Sequence, residues 1–123
     1  MEKIYLKLKD GIYFINKWES IEVSILSDFL TDDVGSFAQQ YIKELETGED
    51  YYGEGNITLV DVEGDVAILQ DSFSTEEDDP KFVTTRKKLI AILEKWDELY
   101  KQKPKEIIIT IDGDKITLTG KDD

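Results

Sequence analysis

The residues of this chain that can do chemistry are mostly carboxylates, 28 Asp and Glu beside 15 Lys and Arg, with no His and no Cys. Paired carboxylates serve as general acid and base when their surroundings split their pKa values. A chain this acidic brings many pairs together by chance, so no pair is singled out. Without His or Cys there is no Ser-His or Cys-His nucleophilic pair, no disulfide and no structural zinc of the usual kinds. Asp61-Val62-Glu63-Gly64-Asp65 and Asp112-Gly113-Asp114 look superficially like calcium loops. Neither reaches the bidentate Glu that closes an EF-hand loop, and hairpin turns explain both. Gly48, Gly53 and Gly55 neither follow a strand nor open a helix, so no phosphate cradle is expected. The expectation is a protein that is not an enzyme and has no metal or cofactor. A carboxylate enzyme using a divalent cation is the rival, to be tested by thermal shift with calcium or magnesium.

Charge is the stronger signal, and it is uneven. The net is −13; residues 1–80 hold 20 acids and 5 Lys, whereas residues 81–123 hold 8 acids and 10 bases. Between residues 18 and 80, 18 acids face the single base Lys43. Such a surface repels phosphate backbones and anionic membranes, so direct binding to nucleic acid or membrane is not expected. Acids gathered on one side would instead steer a cationic partner and raise its on-rate. The candidate partner-binding residues are Asp50, Tyr51, Tyr52 and Glu54 in one predicted loop, Glu76, Glu77, Asp78 and Asp79 in another, and Asp71 beside them. The acids would pair with Lys or Arg and the tyrosines would fill apolar pockets, tyrosine being enriched among hot-spot residues.

These residues have to be positioned by an α+β domain. At 123 residues with 40% hydrophobic composition, one domain spanning residues 1–123 is expected to fold alone. Alternation of Ile4, Leu6 and Leu8 with Lys3, Tyr5 and Lys7 predicts a strand, Asp10-Gly11 a turn, and residues 12–18 a second strand. Residues 21–29 read as extended chain passing into a short helix or turn. A helix follows Gly35, with Ser36 and Gln39 as a capping box and Phe37, Tyr41, Ile42 and Leu45 on one face. Residues 48–55 read as a loop, and residues 56–62 and 65–71 as short strands joined by a hairpin turn. Residues 81–84 read as extended, and Thr84 or Thr85 caps the longest helix. On it Leu89, Ile92, Leu93, Trp96, Leu99 and Tyr100 form the apolar stripe, Asp97 takes a polar position, and Pro104 ends the run. The strongest hairpin signal joins residues 106–111 to 115–119. The expected fold is one antiparallel sheet of six to seven short strands with two main helices on one face.

No apolar run approaches the roughly 20 residues of a membrane span, and the residues after Met1 lack the apolar stretch of a secretory signal. A cytoplasmic protein is expected, with a monomer slightly favoured.

The stretch Phe82-Val83 before Thr84, then Leu89-x-x-Ile92-Leu93-x-x-Trp96-x-x-Leu99 and Pro104-x-Glu106-Ile107-Ile108-Ile109 forms a pattern with two upstream segments, Gly55-Asn56-Ile57-Thr58-Leu59 and Val66-Ala67-Ile68. It resembles the small acidic immunity proteins encoded beside bacterial polymorphic toxins, including those of contact-dependent growth inhibition systems. The likeness covers roughly the second half of the chain and mainly core positions. It implies a protein without activity of its own that binds a cognate toxin domain, a basic nuclease above all, and blocks its active site. The alternative is an acidic regulatory adaptor or nucleic-acid mimic that binds another basic partner.

Overall fold

The computed structural model describes residues 2–17, 21–72 and 80–122. Strands β1 (Glu2–Lys9) and β2 (Ile12–Lys17) are followed by helix α1 (Ile21–Asp28), a π-helical turn (Phe29–Val34) and helix α2 (Ala38–Glu46). Strands β3 (Tyr51–Glu54), β4 (Thr58–Glu63), β5 (Val66–Asp71) and β6 (Lys81–Thr85) come next. Helix α3 (Arg86–Gln102) and strands β7 (Glu106–Asp112) and β8 (Lys115–Lys121) complete the chain. The strands form two antiparallel four-stranded sheets, ordered β2-β1-β7-β8 and β3-β4-β5-β6.

The α+β class is as expected, but its arrangement differs from the single sheet with two helices. β7 returns to pair with β1 (Ile4 opposite Ile109, Leu6 opposite Ile107), and β6 closes on β5, so the strands divide into two groups. Helices join those groups: α1 touches β1 of the first sheet and β5 and β6 of the second, while α3 touches β8 on one side and β5 and β6 on the other. The core therefore collects the inner residues of both sheets, such as Ile4, Leu6, Ile107, Val60 and Leu69, around Leu26, Phe29, Leu89, Leu93 and Trp96. Trp96 is fully buried and donates from Nε1 to the Gly35 carbonyl at 2.9 Å. Tyr13 meets the Trp96 ring edge-on at 5.9 Å and donates its hydroxyl to the Pro104 carbonyl, fastening β2 to the C-terminal half of α3 and the chain after it.

Local chemistry explains the termini. Asp10 and Gly11 both take positive φ, 54° and 81°, the signs of a type I′ hairpin turn. Gly113, at φ 62°, supplies the left-handed residue of the β7–β8 turn. Thr85 caps α3 by accepting the Lys88 amide at 3.1 Å, and Lys103 in the left-handed conformation ends it before Pro104.

Four expectations are corrected. Residues 21–28 are helical, because burying Ile25 with Phe29 and Leu26 with Leu30 at spacing four outweighs the strand-like alternation of the preceding apolar residues. The capping box does not form: Phe37 is the N-cap and is exposed, and Gln39 reaches across to Asp97 Oδ2 at 3.0 Å. Asp97 is accordingly buried rather than on the solvated face, and the Gln39 bond, with Lys101 at 2.9 Å, holds its carboxyl below the usual range despite its burial. Residues 51–54 are a strand, paired in register with β4, instead of a loop.

Arg86, the first residue of α3, is buried and donates from all three guanidinium nitrogens at 2.8 Å, to the carbonyls of Gly64, Leu45 and Glu49. It thereby clamps the end of α2, the chain entering β3 and the β4–β5 turn. No described α-helix is long and apolar enough to cross a membrane.

Candidate binding face

Strand parity decides which residues the second sheet exposes. Val60, Val62, Ala67, Leu69 and Phe82 point inward and are buried, so their neighbours form the outer face. The register sets Tyr52, Asp61, Ile68 and Val83 in one row across all four strands, and Glu54, Leu59, Gln70 and Lys81 in the next. Glu63, Val66 and Thr85 form a third. Tyr52 is 67% exposed and Val83 59%, with Val66 also open to solvent. The result is an apolar stripe bounded by Glu54, Asp61 and Glu63, none of which has an ion-pair partner among the described residues. The described ion pairs, Lys88–Asp114, Lys95–Glu98 and Lys101–Asp97, all lie in the C-terminal third, so three of the four α3 lysines are engaged there.

The sequence-derived candidates separate on this geometry. Tyr52 and Glu54 lie together on the outer face. Tyr51 points to the other side, partly buried against the core, and burial followed by the charge of Glu44 raises its phenol pKa. Asp50 is spent locally, its Oδ1 accepting the Gly64 amide at 3.0 Å. Asp71 ends β5 opposite Thr58 and belongs with Asp28, Asp32 and Asp33 rather than with Tyr52. Glu76, Glu77, Asp78 and Asp79 lie outside the described residues. Leu59, Asp61, Ile68 and Val83 were missed as a surface. Their alternation with buried neighbours was the available signal, but it selects a face only when β3 is recognised as a strand.

Among the described residues no three acids are arranged to hold a metal ion. Asp33 is committed to backbone, accepting the amides of Asn56 and Thr58 at 2.8 Å and of Ile57 at 3.2 Å. Burial, then the charges of Asp32, Asp71 and Asp33, raises the Asp28 pKa. A raised carboxyl pKa means the fold prefers the protonated acid, so ionisation at neutral pH works against stability, and the deficit disappears as pH falls through the folded value. Asp28→Asn is expected to raise the unfolding midpoint at pH 7 by less than about 1 kcal/mol of stability, given solvent screening. The gain should vanish at acid pH in paired thermal melts; a gain that persists there would assign the effect to something other than charge.

The fold and face together define an α+β domain with one open, acid-bordered sheet face. Compared with family models, curated proteins and solved structures, the chain matches none.

Proposed function

We propose that this chain is a non-catalytic inhibitor that docks a cationic toxin domain, of nuclease type, on the outer face of β3–β6 and so covers its phosphate-binding cleft. The observation carrying this reading is the in-register row Tyr52, Asp61, Ile68 and Val83, in which exposed Tyr52 and Val83 flank half-buried Ile68 and the unpaired acids Asp61, Glu54 and Glu63 lie within and beside the row. A basic cleft built for phosphate is its electrostatic complement. The apolar strip would supply affinity and the acids would supply rate and orientation. The resemblance to immunity proteins supports the same partner class, and residues 76–79 belong to the proposal as additional steering charge.

The experiment is co-expression with the C-terminal toxin domain encoded immediately upstream, scored by cell survival and by recovery of a complex. In stopped-flow association, Glu54→Lys with Asp61→Lys and Glu63→Lys is expected to slow binding about tenfold or more and flatten its salt dependence. Tyr52→Ala should cost about 2 kcal/mol of affinity, mostly in dissociation rate. Unchanged kinetics in both variants would move the site off this sheet.

A further inference from the structure

β8 is the last strand of the first sheet, and among the described residues no strand pairs with its outer edge. The two-residue turn Gly113–Asp114 makes Asp112 and Lys115 the hydrogen-bonded pair nearest the turn. Antiparallel alternation then directs the N–H and C=O of Ile116, Leu118 and Gly120 away from β7. None of the described turn, loop or cap hydrogen bonds uses these groups. Beside the edge, α3 presents Lys88, Ala91, Ile92 and Lys95, spaced as one helical face, and a groove runs between them and residues 115–119. Consecutive residues of a strand line one groove only when the groove follows the strand's edge, since its two faces alternate.

We propose that this groove binds an extended, acidic segment of a partner protein by strand addition to β8. The edge amides supply the ladder, and the floor of Ala91, Ile92, Ile116 and Leu118 receives every second side chain of the incoming strand. Lys88, Lys95 and Lys115 border the same groove; Lys88 is bonded to Asp114 at 3.2 Å and Lys95 to Glu98 at 3.6 Å, so three cations meet two acids and Lys115 has no ion-pair partner among the described residues. That excess of cations selects acidic alternate positions. It also disfavours a second copy as occupant. Pairing β8 with β8 about Leu118 would set Lys115 opposite Lys121, and would bring the lysines of two α3 helices together.

The probe is a short, end-blocked, fluorescein-labelled peptide in which Glu alternates with Val, compared by anisotropy with its Lys-for-Glu analogue. Saturable binding of the acidic peptide alone is expected, with slowed hydrogen exchange at the amides of Ile116 and Leu118. Ile116→Pro removes a donor from the free edge, where proline is tolerated, and should weaken binding about tenfold. Lys88→Glu with Lys95→Glu, which leaves the backbone unaltered, should weaken it by a similar factor. Equal binding of both peptides, absence of protection in β8, or displacement of the peptide by a concentration-dependent dimer in sedimentation would each overturn the proposal. The triple reversal at Glu54, Asp61 and Glu63 should leave peptide binding intact, so this site can fail or hold independently of the inhibitor reading.

Discussion

Arg86→Ala is expected to be the most damaging single substitution among those considered, lowering unfolding free energy by about 3–5 kcal/mol in urea titrations with little change in slope. The guanidinium bonds to three carbonyls from three separate segments, and no carboxylate pairs with it among the described residues. Truncation would leave those oxygens short of donors, and hydrogen bonds to a charged group are worth about 1.5–3 kcal/mol each before non-additivity. One of them, from Leu45, belongs to the last turn of α2, where a cation also meets the negative end of the helix dipole. Arg86→Lys keeps the charge but replaces a planar fork with a single point, and should recover less than half of the loss. A deficit below about 1 kcal/mol for the alanine variant would mean that water replaces the guanidinium readily, and the clamp would be incidental. Since a domain of this kind has about 5–15 kcal/mol in total, the full effect would bring it close to unfolding at 37 °C.

Asp33→Ala should follow, with a loss of about 2–3 kcal/mol. Its carboxylate gathers three successive amides, those of Asn56, Ile57 and Thr58, at the connection between β3 and β4. The fit is close on the other side too, since a Cβ on Gly55 would come within 2.5 Å of Asp33 Oδ2. Removal frees a turn that sets where β3 begins to pair, so Tyr52 and Glu54 would lose their register with Asp61 and Leu59. Hydrogen exchange should show the three amides deprotected while β7 and β8 stay unchanged. Asp33→Asn, which retains one carbonyl oxygen, should fall between wild type and alanine. Deprotection spread evenly over both sheets would refute a local role.

How much of this was legible beforehand depended on sequence distance. The Asp10-Gly11 and Asp112-Gly113-Asp114 turns, the Thr85 cap and the stripe from Leu89 to Leu99 are decided by neighbours within a turn or two, and the sequence signals them directly. The division into two sheets is not, because it depends on β7 pairing on its second edge with β1, some hundred residues away in the chain. β3 was hidden for a related reason: Tyr51 and Tyr52 favour a strand but Gly53 and Glu54 do not, and a run of four residues between Gly48 and Gly55 carries no periodicity of its own and is held extended by β4. The candidate face suffered most from equating acids with surface. Asp33, Asp50 and Asp97 are occupied by backbone amides or by Gln39 and Lys101, and nothing in residue type distinguishes them from Glu54 or Glu63.

The outer face of the first sheet carries Lys3, Lys7 and Lys9 on β1 with Lys115 and Lys121 on β8, placed there by the same parity that buries Ile4, Leu6 and Leu118. Helices separate that face from the acid-bordered sheet. Five lysines against Glu106 and Asp112 on that face, and Glu54, Asp61 and Glu63 against Lys81 on the other, leave the two outer faces with opposite charge. In the field of a cationic body it would experience a torque as well as an attraction, rotating to lead with β3–β6 before any atoms touch.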